Sequence, residues 1–101
     1  MLDKAKQLYQ LQKKAKQVQK ELKNTEVEAK STDGLVTVVL SADQKIKSVS
    51  IDDSLINPDK KKDLEEKIVR VMSEGLSRAQ AVAAEKTKSL IGDMGLNIPG
   101  M

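Results

Sequence analysis

Cysteine, histidine, tryptophan and phenylalanine are all missing from these 101 residues, and Tyr9 is the only aromatic side chain. Without cysteine there is no disulfide framework and no thiolate chemistry. Without histidine the commonest general base and the commonest metal ligand are gone. Binding of unpaired bases rests on aromatic platforms, so a single tyrosine makes duplex backbone a better target than single strands. No glycine-rich phosphate loop, dinucleotide fingerprint or metal-ligand spacing occurs. Asp52 and Asp53 are adjacent, and neighbours on an extended chain point to opposite sides, which places them poorly as a carboxylate pair. This inventory argues against an enzyme, and no cofactor, metal or small-molecule substrate is expected. No apolar signal segment and no run of membrane-spanning length occurs, so the expectation is a soluble, cytoplasmic protein.

Acid is missing from one stretch in particular. From Lys4 to Lys20 there are six lysines and neither Asp nor Glu. An ordinary solvated helix mixes the two signs, because i,i+4 pairs of opposite charge support it. Residues 1–24 carry seven lysines against Asp3 and Glu21, a net charge of +5. The remainder holds eleven basic and thirteen acidic residues, a net of −2. Basicity confined to one segment points to nucleic acid or an anionic membrane.

That segment also has the rhythm of an amphipathic helix. Leu8, Leu11, Ala15, Val18 and Leu22 recur at alternating spacings of three and four, a helical seam. At about 100° per residue, Lys6, Lys13, Lys16, Lys20 and Lys23 project away from the seam, Lys14 lies at its border, and Lys4 falls on the seam's angle near a fraying end. From Lys6 to Lys23 the rise is about 26 Å, so the charges form a stripe. A solvated coiled-coil face is the competing reading of the same pattern. The five outward lysines are the candidate DNA-binding residues. Gln7, Gln10, Gln12, Gln17 and Gln19 are good helix formers that need no further role, so phosphate contact with little sequence preference is expected.

After the first helix the period changes to two. Thr25–Ser31 alternates as a half-exposed strand, and Asp33-Gly34 signals a turn. Leu35–Leu40 is nearly continuous and β-branched, as in a strand covered on both faces. Ala42-Asp43-Gln44 turns into a third strand, Lys45–Ile51, completing an antiparallel meander. Asn57 and Pro58 cap and open a long helix at about 59–91, with the stripe Leu64, Ile68, Val71, Met72, Leu76, Ala79, Val82, Ala83 and Leu90. Its outer face carries Glu66, Arg70, Glu74 and Arg78 as a self-neutralising ladder. Gly75 inside it costs about 1 kcal/mol against Ala and permits either close packing or a bend. Lys60-Lys61-Lys62 is read as a solvated run offset by Asp59, Asp63, Glu65 and Glu66, and is left out of the candidate surface.

The fold class is therefore α+β: an α-β-β-β-α unit in which two long helices flank a three-stranded antiparallel sheet. It occupies residues 1–101 as one domain, with 92–101 as a mobile tail in which Leu96 and Ile98 could dock. The two-sided strand and the helical seam both ask for more partner surface than one chain supplies, so a homodimer is expected.

The stretch Gly34-Leu-Val-Thr-Val-Val-Leu-Ser-Ala-Asp-Gln-Lys-Ile-Lys-Ser-Val-Ser-Ile-Asp-Asp-Ser-Leu55 resembles the signature region of the YbaB/EbfC family of bacterial nucleoid-associated proteins. The Lys/Gln-rich first helix, the helix with Leu64-Glu65-Glu66 and the tail Gly92-Asp-Met-Gly-Leu…Pro99-Gly100-Met101 are similar in order and length. The resemblance implies a tweezer-like homodimer that binds double-stranded DNA and changes its conformation, with roles in nucleoid organisation and gene expression. Family contacts are attributed to the helices, which here means the Lys6–Lys23 face. Many members begin with a Gly- and Met-rich leader, whereas this chain begins Met1-Leu-Asp, so no contact made by such a leader carries over.

Two other readings compete. A dimeric helical adaptor or prefoldin-like holdase also sets helices beside β-strands, but helices of that type are generally longer and more apolar at their tips. Peripheral membrane attachment would rest on an apolar face of Leu, Ala and Val with only Tyr9 nearby as an anchor, which predicts poor affinity.

Overall fold

A computed structural model describes residues 2–92. The first helix, α1, spans Leu2–Lys23. Strands β1 (Glu26–Lys30), β2 (Val36–Ser41) and β3 (Ile46–Ile51) follow. Two 3-10 turns, Asp53–Leu55 and Pro58–Lys60, lead into the long helix α2, Lys61–Gly92. The α-β-β-β-α order and the antiparallel sheet, arranged β1-β2-β3, agree with the sequence reading. Strand limits agree to within a residue.

The opening of α2 differs in its first turn. Asn57 accepts from the Asp59 N–H at 2.9 Å and Pro58 stands next, but Pro58–Lys60 winds as a 3-10 turn before the α-helix proper. The tail expected at 92–101 falls, from residue 93 on, outside the described residues, as do Leu96 and Ile98.

The core lies between α2 and one face of the sheet. Val27 and Ala29 of β1 stand opposite Leu40 and Val38 of β2, which puts these apolar side chains on one face. Val36, Val38 and Leu40 are fully buried there, together with Ala29, Val71 and Ala79. Full burial of each valine or leucine contributes about 1.5–3 kcal/mol. Gly75 sits where α2 crosses the sheet: a Cβ built on it would lie 3.1 Å from a Leu40 methyl and 3.5 Å from the Ala29 Cβ. Close approach, not a bend, accounts for this glycine.

Only one face of the sheet is covered, contrary to the expectation for β2. Its alternate residues Thr37 and Val39 are half-buried, because the face away from α2 carries no helix and is lined by Glu26, Glu28, Ser48 and Ser50. α2 lies over β1 and β2. β3 is the edge left open. Ile46 and Val49 pair with Leu40 and Val38, so they belong to the apolar face, yet they are 43% and 40% exposed.

Length explains the rest. Thirty-two residues of α2 rise about 48 Å, far more than a sheet whose strands have five or six residues can cover. The overhanging part of α2 meets α1. Lys86 of α2 contacts Glu21 of α1, so the two helices run antiparallel, α1 entering the sheet as α2 leaves it.

Candidate functional site

The structure places all five candidate lysines, Lys6, Lys13, Lys16, Lys20 and Lys23, on the exposed surface of α1. Val18 is buried and Leu22 half-buried on the opposite side, so the seam and the lysine face separate as the helical period requires. Lys14 is half-buried at the border. Among the described residues, no lysine of α1 takes part in an ion pair. A row of ammonium groups with no carboxylate beside it attracts any polyanion that approaches.

Glu21 is one of only two acids on α1. Its carboxylate lies 3.3 Å from the Lys86 ammonium of α2. That pair is half-exposed and contributes little stability, but it commits the acid nearest Lys20 and Lys23 to another helix. Lys86 lies 65 residues away in sequence. Nothing in the local pattern of α1 pointed to it.

The seam is only half used. Leu8 is 60% exposed and Leu11 42%. From Lys86, level with Glu21, to Gly92 is six residues, about 9 Å of helix. The described part of α2 therefore ends near the level of Ala15, and the first three turns of α1 stand beyond it. Tyr9 is 67% exposed in this overhanging segment. It lines a shallow groove with Gln12, Lys13 and Lys16. A neighbouring groove is lined by Gln10, Lys13, Lys14 and Gln17.

The charges at the far end of the molecule behave differently. Lys67 bridges Asp33 of the β1–β2 turn at 3.1 Å and Asp63 of its own helix at 3.2 Å. Its pKa is raised by the hydrogen bond to Asp33 and then by that to Asp63. Asp33 also accepts from the Ser31 hydroxyl and the Leu35 N–H. The Ser31 bond, then the Leu35 bond and Lys67, hold its carboxyl down to about 2. Of the ladder expected on α2, only Glu74 and Arg78 close a pair, at 2.7 Å, and Arg78 also donates to the Glu28 carbonyl at 3.0 Å. These groups fasten α2 to the sheet.

Among the described residues no three His, Cys, Asp or Glu side chains converge to hold a metal ion. Asp52 is occupied in accepting from the Ser54 N–H at the start of a 3-10 turn, which lowers its pKa. Among the described residues no helix is long and apolar enough to cross a membrane.

Comparison with known proteins adds an independent finding. The model of the YbaB/EbfC DNA-binding family matches residues 1–94. A nucleoid-associated protein of Nitrobacter winogradskyi is 40% identical over 96 residues, covering 95% of this chain and 90% of its own length. A nucleoid-associated protein of Rhodopseudomonas palustris is 42% identical over 94 residues, covering 93% and 88%. The crystal structure of an uncharacterized protein from Helicobacter pylori superposes with a TM-score of 0.72 at 23% identity, covering 91% of this chain and 92% of that one. That likeness concerns the fold.

Proposed function

The chain belongs to the YbaB/EbfC DNA-binding family, and on that premise we propose that it binds duplex DNA through the lysine face of α1, with little sequence preference, and alters the conformation of the DNA. It acts as a nucleoid-associated protein, the name its relatives carry, and in the cytoplasm it contributes to nucleoid organisation and gene regulation. One observation carries the reading: Lys6, Lys13, Lys16, Lys20 and Lys23 share an exposed face and meet no carboxylate among the described residues. Long-range attraction, phosphate contact and counterion release follow from such a row.

The working unit is a homodimer. Its seat is the open flank of the sheet. Arg78 and Lys67 reach β1 and the β1–β2 turn from one side of α2. By the helical period, Val69, Met72 and Leu76 lie on the other side, toward β3. Val69 is 65% exposed. With Ile46 and Val49 it makes an apolar strip beside an unpaired strand edge, the kind of surface a second copy covers. Two protomers would bring roughly twice the +5 of residues 1–24 to one assembly, and neutralising five to eight phosphates gives a slope of log K against log salt of about −5 to −7.

The test is a salt titration of binding to two unrelated duplexes of equal length. Equal, steep slopes are expected; a flat dependence overturns the backbone reading. Sedimentation of Val49→Asp alongside the unaltered chain tests the dimer, with a shift to monomer expected. Leu8 and Leu11 favour a second reading as a helical adaptor, since their exposed side chains would also suit a protein partner. Partners that stay bound after nuclease digestion would support it.

A further inference from the structure

The chain has one aromatic residue, and the fold does not use it. The core is built from valine, leucine and alanine. Tyr9 stands 67% exposed on α1. A lone exposed hydrophobic residue needs no explanation by itself. Its position does call for one.

At about 100° per residue, Tyr9 lies nearly opposite the seam, between the directions of Lys16 and Lys23 on one side and Lys20, Lys13 and Lys6 on the other. It is therefore at the centre of the lysine face along its azimuth. The groove it lines with Gln12, Lys13 and Lys16 confirms the neighbours on two of those sides. Whatever covers Leu8 and Leu11 approaches from the other side of the helix and leaves the ring outward. A partner for the seam does not bury Tyr9.

We propose that Tyr9 is a DNA-contact residue of this surface, its ring lying against deoxyribose and its hydroxyl donating to a phosphate oxygen. The inference rests on the reading of the α1 face as the DNA-binding surface. Tyrosine is among the side chains that bond phosphate oxygens, and its flat, amphipathic body suits a site with an apolar sugar beside a wet, charged oxygen. The lysines deliver long-range attraction that tolerates many registers. A rigid ring among them fixes the distance between helix and backbone. Stacking on an unpaired base is the rival geometry, and one ring on a convex helix offers no second platform for a strand to follow.

The absence of every other aromatic makes the experiment direct, because all intrinsic protein fluorescence comes from Tyr9. Titrating the full chain with a duplex is expected to change that emission in step with retardation on a gel. Tyr9→Phe keeps the ring and loses the hydroxyl, which is expected to weaken binding about threefold. Tyr9→Ala is expected to weaken it about tenfold. Neither changes the salt slope, since no charge is removed, whereas Lys13→Gln, which removes one phosphate contact from each protomer, lowers its magnitude by about two. Helicity and melting of the variants should match the unaltered chain, the side chain being exposed. Retardation with unchanged emission and full affinity of Tyr9→Ala would overturn the contact while leaving the DNA-binding reading intact. Tighter binding and stronger quenching by a single strand of equal length would replace backbone contact by stacking. No retardation of any duplex would remove the reading beneath it.

Discussion

The two helices carry the same number of basic side chains, seven each, and dispose of them in opposite ways. α2 sets five acids among its seven; α1 has only Asp3 and Glu21. Three of the basic residues of α2 (Lys67, Arg78 and Lys86) are in ion pairs, and two of those tie the helix to another element. Among the described residues none on α1 is paired. On the proposed reading, the difference separates scaffold from DNA-binding surface. A charge with a carboxylate partner has already been used to position something. A charge without one is available to a ligand, and a whole face of them selects a polyanion.

The sharpest way to break this contrast is to reverse the unpaired charges. If α1 is the interface proposed, Lys13, Lys16 and Lys20 changed together to Glu remove three phosphate contacts per protomer and add repulsion. Binding to a duplex at moderate salt is expected to fall about a thousandfold, read by gel retardation, while circular dichroism and the melting temperature stay nearly unchanged. Retained binding by the triple variant would move the interface off α1. The same reversal at Lys67 should do the converse, lowering the melting temperature while leaving DNA affinity close to its starting value.

Next in size is an attack on α2 where it touches the sheet. With a Leu40 methyl 3.1 Å from where a Cβ would stand, Gly75→Val has no room for its branches. Overpacking of this kind costs about 3 kcal/mol, measurable by urea denaturation. Gly75→Ala sets the helix preference for alanine against the same contact. A variant as stable as the unaltered chain would show that Leu40 can shift by a few tenths of an ångström. Neither substitution touches α1, so any protein that stays folded should bind DNA as before.

Much of this contrast was legible in the sequence, because local patterning governs it. The run Lys4–Lys20 without acid and the seam Leu8–Leu22 define both faces of α1 by local pattern alone, and period-two segments bounded by Asp33-Gly34 and Ala42-Asp43 mark the strands. Long-range partnerships were not legible. Local periodicity does not tell which face of Leu35–Leu40 the second helix covers, so the pattern of β2 reads as two-sided although a single helix covers only one side. The role of Gly75 is not legible locally because its neighbours, Leu40 and Ala29, come from the strands. Lys86 neutralises Glu21 across 65 residues of sequence. The centrality of Tyr9 on the lysine face follows from the helical period, but its exposure needed the packed structure.

The smallest expected effect belongs to the paired side of the comparison, and it has a pH signature. Asp33 has its carboxyl held at about 2 in the folded chain against an ordinary 3.8. As pH falls, the unfolded chain therefore takes up this proton first. The stability it contributes is whole above about pH 4 and is lost as pH falls from there toward 2. Being a surface group, it moves the melting temperature only modestly. Asp33→Asn removes the titration while keeping an acceptor for Ser31 and Leu35. Melting curves at intervals from pH 5 to pH 2 should show the unaltered chain more stable than the variant at the upper end and the two converging at the lower. A gap that stays constant across the window would mean that protonated Asp33 holds the β1–β2 turn as well as the ionised form does. Lys67 would then be fastened through Asp63 alone, and the distinction between the helices would rest on Arg78 and Lys86.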